Sequence, residues 1–319
     1  MSDTAQYYFH RSLMPPLSKP SEVPYIYDRT QTLFPRPEIK CLTPIGDPNG
    51  EKHTVDELMA NRVQEIVAAA NGRKIAVCWS GGLDSTSVLL AFMEVLKAAD
   101  ITVIMNQKSI DEYPLMYNEL IKDQCPIIEM PEFAVEDTMN KVVKDGYVVV
   151  TGEIGDQMFG SIKFMEYADQ ADLLKPWTEI LKGVSGDTQN SYQTLVAACP
   201  VPMTTVKMFW WWFNYVIKYQ GVQLRMLISA PDTRLNDNVF HFFDNKQWND
   251  WCLYTDQEVR YPGSDPLMYK KPLKDYILDK TGDQDYYANK GKVRSLVIYR
   301  GTLARIYESD KIDINWNRS

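Results

Sequence analysis

Residues 78–86 read CWSGGLDST, and this stretch decides how the surrounding chain is expected to fold. The apolar run Lys74–Trp79 predicts a strand that leads into it, and Asp84–Ala98 predicts a helix that follows it. Gly81 and Gly82 lie between the strand and the helix. Because glycine has no side chain, a bulky anion can approach the main chain at this turn, and the N–H groups at the helix start point towards that anion. The stretch therefore predicts a phosphate-binding turn.

The side chains of the turn refine this interpretation. Ser80 and Ser85 add hydroxyl donors for a phosphate. The Walker A pattern GxxxxGK[ST] is absent, and so is GxGxxG. Asp84 would repel a polyphosphate unless Mg²⁺ lay between them, since that ion binds carboxylate and phosphate oxygens together. The turn therefore predicts a nucleotide with its magnesium ion; the alternative is a plain turn with an acidic helix start.

Strands and helices are predicted to alternate on both sides of this turn. Thr54 and Glu57 have the spacing of a capping box, which predicts a helix that ends near Gly72. The remaining patterns predict strands at 101–105, 126–130 and 147–150 and helices at 114–123 and 135–145. Strands that alternate with helices across short links indicate an α/β fold, with a doubly wound parallel sheet covered on both faces.

Three regions of the chain differ in composition. Residues 1–52 are rich in Pro and Tyr and predict an extended arm, because proline ends helices. Residues 53–165 carry the α/β pattern, and residues 166–319 predict a mainly helical lobe packed on the sheet. In that lobe, 206–219 reads VKMFWWWFNYVIKY. Its three tryptophans face different sides of a helix, so we expect core packing rather than a platform that stacks on a ring.

Composition and charge argue against several classes of protein. The formal net charge of −8 disfavours broad binding to nucleic acid or to an anionic membrane. The five cysteines include no CxxC pair, so neither a disulfide framework nor a zinc site is indicated, and a reducing, cytoplasmic setting fits best. The N-terminus lacks the apolar core of a secretory signal, and the longest apolar stretch, Met208–Ile217, is too short to span a membrane.

A second polar segment follows the last predicted strand of the α/β region. Residues 151–160 read TGEIGDQMFG, and Glu153 and Asp156 are three positions apart, so a helical turn would place both carboxylates on one face. The carboxyl ends of parallel strands meet at one edge of a sheet, where the turn of residues 80–85 is also expected. Two acids at that edge suit metal binding and proton transfer.

Together these segments resemble a known enzyme family. SGGLDS, residues 80–85, resembles the pyrophosphate loop of the N-type ATP pyrophosphatases, which implies a HUP-like sheet and cleavage of ATP between its α and β phosphates. Residues 151–160 resemble the [ST]-G-E-G-[AS]-D-E-x-F-G segment of asparagine synthetase and the β-lactam synthetases. The runs YKKPLKDYILDK at 269–280 and YYANKGKVRS at 286–295 are similar to the K-x-x-L-R run and the later basic stretch of that family.

The resemblance implies a role for each matching residue. Glu153 would take a proton from the attacking amine, and Lys270 would neutralise charge on the α-phosphate. Asp84 and Asp156 would hold Mg²⁺. The segment departs from the family at Ile154, where glycine is expected and backbone freedom is wider. The residues implied to bind ATP are Trp79, Ser80, Gly81, Gly82, Asp84, Ser85, Met105, Thr151, Gly152, Lys290 and Lys292.

The implied reaction is the ATP-dependent formation of an amide. A substrate carboxylate attacks the α-phosphorus and releases pyrophosphate, and an amine then attacks the acyl-adenylate and releases AMP. Ser2 stands where glutamine-using relatives carry a nucleophilic cysteine, so the nitrogen is expected from free ammonia, from another amine or from a separate glutaminase. The amine could equally be internal to the substrate, as in the β-lactam synthetases. Two alternatives remain: an enzyme of the same loop family that modifies a nucleobase or tRNA, and a non-catalytic ATP-binding protein.

Overall fold

A five-stranded parallel sheet lies at the centre of the protein. The computed structural model describes residues 6–8, 28–33, 43–131, 135–160, 164, 167, 169–219, 222–223, 238–291 and 306–308. The strands of the sheet are β2 (Ile75–Cys78), β3 (Ile101–Met105), β4 (Ile127–Glu129), β5 (Val148–Thr151) and β6 (Val239–His241). A separate antiparallel pair joins β1 (Gln6–Tyr8) to β7 (Ile306–Glu308).

Helices connect and flank these strands. Those of the first half are α1 (Val55–Ala70), α2 (Leu83–Val95), α3 (Gln107–Glu112), α4 (Pro114–Met116), α5 (Val135–Lys144) and α6 (Gly155–Phe159). Those of the second half are α7 (Gly186–Ala197), α8 (Val206–Phe213), α9 (Lys246–Tyr254), α10 (Gln257–Arg260), α11 (Lys271–Thr281) and α12 (Gln284–Asn289). None of the described helices has the length and apolar character needed to cross a membrane.

The order in which the chain adds strands to the sheet reverses beside β2. Its spatial order is β4-β3-β2-β5-β6, and every neighbouring pair is parallel. The chain builds outwards from β2 through β3 to β4, and then returns to the other side of β2 to add β5 and β6. Doubly wound sheets of this kind bind ligands beyond the carboxyl ends of the strands at the point of reversal, which here lies between β2 and β5.

Both faces of the sheet are covered, because successive strand residues point to opposite sides. Ile75, Val77 and Val150 face a large core shared with α1, α2 and the second half of the chain. Ala76 and Val149 face a smaller core that includes residues of α5. The predicted α/β fold with a parallel sheet buried on both faces is therefore confirmed, although the edge strand β4 is partly exposed.

Short sequence patterns predict where helices begin but not always which type of helix forms. α1 begins at the predicted cap: the Glu57 N–H donates to the Thr54 hydroxyl, and the Thr54 N–H donates to the Glu57 carboxylate. The helix predicted at 114–123 is the short α4 followed by a π-helical turn, Tyr117–Ile121. Element type therefore follows from the sequence pattern here, while the exact hydrogen-bond pattern of the helix does not.

The strand β6 was not expected, since the region after residue 165 is predicted to be mainly helical. Only three residues, VFH, form it, and so short a run cannot show the two-residue period of a strand. Pairing with β5 makes it a strand, with Thr151 opposite His241 in the parallel register. The second half of the chain therefore contributes a fifth strand to the sheet as well as helices.

The tryptophans of α8 are buried, as the sequence predicts. Trp211 and Trp212 have no exposed surface, and Trp210 has little. The indole N–H of Trp211 donates to the carbonyl of Met158 at 3.1 Å, and that of Trp212 donates to the carbonyl of Leu195 at 2.7 Å. These bonds satisfy the polar edges of two large rings in the core. The rings are packing elements and not an exposed stacking platform.

The described part of the N-terminal arm lies against the second half of the chain. The main-chain N–H of Arg29 donates to the carbonyl of Val216 at 3.0 Å, and its guanidinium lies 3.7 Å from the centre of the Tyr219 ring. Gly46 packs on the main chain of α9, where a methyl group added to it would meet the carbonyl carbon of Asn249 at 2.2 Å. The arm approaches α9 so closely that only glycine fits at position 46.

We expect Gly46→Ala to destabilise the protein, because the added methyl must push the arm away from α9. Overpacking of this kind lowers the free energy of unfolding by about 1–3 kcal/mol. The matched control is Gly186→Ala in α7, where an added methyl meets no atom within 4 Å and no loss is expected. Urea unfolding followed by circular dichroism measures both variants. Equal stability of Gly46→Ala and the unmodified protein would contradict the close approach.

Candidate active site

The turn after β2 and the segment after β5 lie side by side, because β2 and β5 are neighbours in the sheet. Two glycines make their contact possible. A methyl group on Gly152 would lie 2.9 Å from the main-chain nitrogen of Ser85, and one on Gly155 would lie 2.3 Å from Oδ1 of Asp84. Any larger residue would separate the two segments. The two motifs of the sequence therefore form one site at the point where the sheet reverses.

Gly81 and Ser85 set the conformation of the turn of residues 80–85. Gly81 has a φ of +77°, in the left-handed region that favours glycine. Ser85 closes the turn, since its hydroxyl accepts from the N–H of Ser80 at 3.0 Å and lies 3.0 Å from the Ser80 hydroxyl. α2 starts after Gly82, and no side chain caps it there. Its first N–H groups have no acceptor within the helix, so together with the helix dipole they can bind an anion.

A buried lysine joins the two motifs. The ammonium of Lys270 lies 2.5 Å from Oδ2 of Asp84 and 2.6 Å from Oδ1 of Asp156. The hydroxyl of Tyr269 donates to the same Asp156 oxygen at 3.1 Å. Three residues assigned to one site on sequence grounds therefore lie in direct contact, although Asp84 and Lys270 are 186 positions apart in the chain.

The two carboxylates keep this lysine protonated. Burial by itself would lower the pKa of Lys270, but the charges of Asp156 and Asp84 outweigh burial and raise that pKa. The Lys270 side chain is 2% exposed, whereas those of Asp84 and Asp156 are 23% and 36% exposed. The lysine therefore lies beneath the two carboxylates, which keep part of their surface towards solvent.

The second half of the chain holds Asp156 in position. That residue lies in α6, a helix of only five residues whose carbonyl groups need partners outside it. The Asn214 side chain donates to the carbonyl of Asp156 at 2.8 Å, and the Trp211 indole donates to that of Met158. Asn214 is buried and starts a π-helical turn, a feature that is frequent at functional sites. The sequence analysis did not predict this role of Asn214. The one sequence signal for it is that Asn214 is a lone polar residue in the apolar run after the tryptophans.

Ile154 takes a left-handed backbone conformation that favours glycine. Its φ is +75°, which is rare for a β-branched residue, and its side chain is buried. Lys270 also has a positive φ, +56°. Such strain costs about 1–2 kcal/mol per residue and persists only where surrounding contacts enforce it. Two strained residues thus border the carboxylate pair.

Glu153, the predicted acid–base residue, lies at the same edge of the sheet. Its N–H donates to the Thr151 hydroxyl at 3.3 Å. Burial, and after it the charge of Glu153, raises the pKa of the Cys78 thiol to about 12. Cys78 ends β2, so Glu153 lies close to the strand that leads into the turn of residues 80–85. The thiol itself stays protonated and is not a nucleophile at neutral pH.

Lys290 lies beside the turn and is paired with an acid. Its ammonium is 2.5 Å from Oε1 of Glu112, and a methyl group on Gly82 would lie 3.3 Å from the same oxygen. Tyr286 fixes this corner, since its hydroxyl donates to the carbonyl of Gly81 at 2.9 Å. Sequence reasoning missed Glu112, because a lone acid in the helix after β3 belongs to no motif.

Two residues implied to bind ATP turn their side chains into the core. Trp79 is buried, and its indole N–H donates to the Thr86 hydroxyl at 3.1 Å. Met105 is buried at the end of β3 in the same core. Both residues therefore offer the sheet edge their main chain and not their side chains. Lys292, the last of the implied residues, lies outside the part of the chain that the structure describes.

His241 borders the site, although no sequence pattern singles it out. It ends β6 opposite Thr151, and its Nδ1 lies 2.7 Å from the Thr151 hydroxyl. Its other ring nitrogen lies 2.9 Å from the carbonyl oxygen of Gln223. A lone histidine in a sequence is usually structural, and only the register between β5 and β6 brings this one to the site.

The two aspartates fit a magnesium ion. Mg²⁺ takes one or two protein carboxylates and completes its shell with water and phosphate oxygens, and Asp84 and Asp156 converge with part of their surface towards solvent. Among the described residues, no group of three or more His, Cys, Asp or Glu is arranged to hold a metal ion. Ligands beyond the two aspartates would therefore be phosphate oxygens and water. A divalent cation here would compete with the Lys270 ammonium.

Comparison with known proteins assigns the chain to no family. No protein-family model matches it, and no curated protein matches it in sequence.

We expect Ile154→Gly to be more stable than Ile154→Ala, by about 1 kcal/mol in free energy of unfolding. Both variants lose nearly the same packing, but only glycine relieves the positive φ. At an ordinary position the order is reversed, because glycine loses more chain entropy on folding. The control pair is therefore Val150→Gly and Val150→Ala in β5. Urea denaturation of all four variants measures their free energies of unfolding. If Ile154→Ala is more stable than Ile154→Gly, the backbone at position 154 is not strained.

We expect Lys270→Met to uncover competition between the lysine and a divalent cation. Loss of the ammonium leaves two carboxylates facing each other and destabilises the protein by about 1–3 kcal/mol, less than for a fully buried cluster because both acids are partly exposed. Mg²⁺ should then raise the Tm of this variant more than that of the unmodified protein. In the double variant with Asp84→Asn this extra gain should disappear. Equal Mg²⁺ effects on all three proteins in thermal unfolding would exclude a cation site between the aspartates.

Proposed function

We propose that this chain is an ATP-dependent ligase that joins a carboxylate to ammonia or another amine through an acyl-adenylate. One observation carries the proposal: Asp84 and Asp156 meet on the ammonium of Lys270 at the reversal point of the sheet. Each residue comes from a different segment that resembles the asparagine synthetase-like enzymes. A plain turn with an acidic helix start would not bring these three side chains together.

The turn of residues 80–85 would bind the phosphates of ATP. Its donors are the N–H groups at the start of α2 and the hydroxyls of Ser80 and Ser85. Lys290 lies beside the turn, and its ion pair with Glu112 offsets the repulsion that this acid would exert on a phosphate. The net charge of the chain favours such a small ligand over nucleic acid.

In the first chemical step, a carboxylate oxygen of the substrate attacks the α-phosphorus of ATP. The bond from that phosphorus to the oxygen that bridges to the β-phosphate breaks, and pyrophosphate leaves. Lys270 would stabilise the negative charge that grows at the α-phosphate, because its ammonium is already protonated and held at the site. Mg²⁺ bound by Asp84 and Asp156 would neutralise charge on the phosphates.

In the second step, the amine nitrogen attacks the acyl carbon, the bond from that carbon to the AMP oxygen breaks, and the nitrogen loses a proton. Glu153 is the group proposed to accept this proton, since its carboxylate lies at the same sheet edge and is half-buried. The nitrogen source is free ammonia, another amine or a separate glutaminase.

Two finer features belong to this proposal. Counted along the chain, the five sheet strands lie in the spatial order third, second, first, fourth and fifth, which supports a HUP-like arrangement. The four cysteines of the described residues are free thiols, which supports a reducing, cytoplasmic setting.

The test is release of AMP and pyrophosphate by the full chain. The protein is incubated with ATP and Mg²⁺ across a panel of carboxylic acids, each with and without ammonia and simple primary amines. We expect equal amounts of AMP and pyrophosphate to appear with a subset of acids, and the amide to form only when an amine is present. Absence of both products across the panel would contradict the ligase.

The Asp84→Asn variant tests whether release of AMP and pyrophosphate depends on Asp84. Removal of one well-placed charge from such a site lowers the rate roughly 10²–10³-fold, and we expect a loss of this size without loss of folding. The control is Asp145→Asn, an exposed acid after α5, for which we expect no change. Pyrophosphate release by Asp84→Asn at the rate of the unmodified protein would rule out Asp84 as a magnesium ligand.

A further inference from the structure

We infer that His241 is a positioning residue for Glu153 and acts on it through the hydroxyl of Thr151. The inference rests on the proposed function, in which Glu153 accepts a proton from the amine. The three residues belong to one chain of hydrogen bonds that crosses from β6 to β5 and ends in the turn before α6.

This chain of hydrogen bonds lies where β5 and β6 end side by side. Thr151 and His241 are partners in the parallel register, and they are 2% and 4% exposed. Nδ1 of His241 lies 2.7 Å from Oγ1 of Thr151, and Nε2 lies 2.9 Å from the main-chain oxygen of Gln223. The N–H of Glu153 donates to the same Thr151 oxygen at 3.3 Å.

In the neutral ring of His241, the carbonyl of Gln223 sets the direction of the hydrogen bond between His241 and Thr151. A carbonyl oxygen can only accept, so Nε2 of His241 carries a proton. In the neutral ring Nδ1 is then an acceptor, and the Thr151 hydroxyl donates to it. The lone pairs of that hydroxyl are left to accept from the Glu153 N–H. A proton on Nδ1 would instead make the Thr151 oxygen accept from both His241 and Glu153 and turn the hydroxyl proton elsewhere.

A buried network holds His241 in place. Arg62 donates to the main-chain oxygens of His241 and Phe242 at 3.0 and 2.9 Å. The Gln223 side chain donates to Oδ2 of Asp244 at 2.5 Å, so the residue that faces Nε2 is itself tied to the chain after β6. A ring held at both nitrogens cannot turn without breaking hydrogen bonds away from water, which is costly.

The turn that carries Glu153 needs this support. Only residues 152–154 separate β5 from α6, and Ile154 has a φ of +75°. A threonine hydroxyl that accepts from an N–H two residues later is a recognised way to hold such a turn. His241 orients that hydroxyl, and the hydroxyl fixes the main chain from which the Glu153 side chain extends. A displacement of about 1 Å in a reacting group can cost roughly 10²-fold in rate.

Two matched pairs of variants test the inference by kinetics. Thr151→Val removes the hydroxyl and keeps the shape, whereas Thr151→Ser keeps the hydroxyl; His241→Phe removes both nitrogens, whereas His241→Asn keeps an acceptor near Thr151. With the acid and amine that give the highest rate, we expect the valine and phenylalanine variants to lose roughly 10- to 100-fold in kcat with an unchanged KM for ATP. The serine and asparagine variants should recover most of kcat. Equal losses within each pair, or a raised KM at unchanged kcat, would overturn the inference.

Heteronuclear NMR of the labelled full chain provides a readout that needs no catalysis. We expect His241 to be protonated at Nε2 and not at Nδ1, and the Glu153 amide to be protected from exchange with water. Thr151→Val should remove that protection, and Thr151→Ser should keep it. A proton on Nδ1, or exchange that Thr151→Val does not change, overturns the inference even in an active ligase. The expected NMR result in a chain without ligase activity would contradict the proposed function while the link from His241 to Glu153 stands.

Discussion

The buried ammonium of Lys270 is the interaction on which the candidate site depends. It ties together the turn after β2, the short helix α6 and the start of α11, three segments far apart in the sequence. Without a positive charge between them, Asp84 and Asp156 would repel each other in a partly dehydrated place. A divalent cation would satisfy the same electrostatic requirement, as the magnesium nucleotide of the proposed reaction requires.

The sheet and the second half of the chain cooperate to create this arrangement. β2 and β5 are neighbours at the reversal point, so the segments that follow them leave the sheet together. Gly152 lets the two backbones touch, and Gly155 leaves room for the Asp84 carboxylate. On the far side, Asn214 and Trp211 donate hydrogen bonds to the carbonyls of α6. The tryptophan-rich helix therefore does more than fill the core, because it holds the helix that carries Asp156.

The strained backbone at Ile154 and Lys270 requires support from the buried polar groups around the site. Ile154 and Lys270 keep backbone conformations that cost free energy, and such conformations survive only where neighbours leave no alternative. The contacts of Lys270 with the aspartates and the hydrogen bonds from Thr151 to His241 and from Glu153 to Thr151 supply that constraint. The polar network therefore stabilises this particular shape of the sheet edge.

The sequence by itself determined the local features: the glycine turn between strand and helix, the capping box of α1, the alternation that makes a parallel sheet, and the buried tryptophans. Each of these depends on periodicity or on residue chemistry within a few positions. Only the tertiary structure decided that β6 joins the sheet, that His241 faces Thr151, that Lys270 lies between the aspartates and that Lys290 pairs with Glu112. The physical reason is that a side-chain period is a property of one segment, whereas strand order and the partners of a buried charge are set by how the whole chain packs.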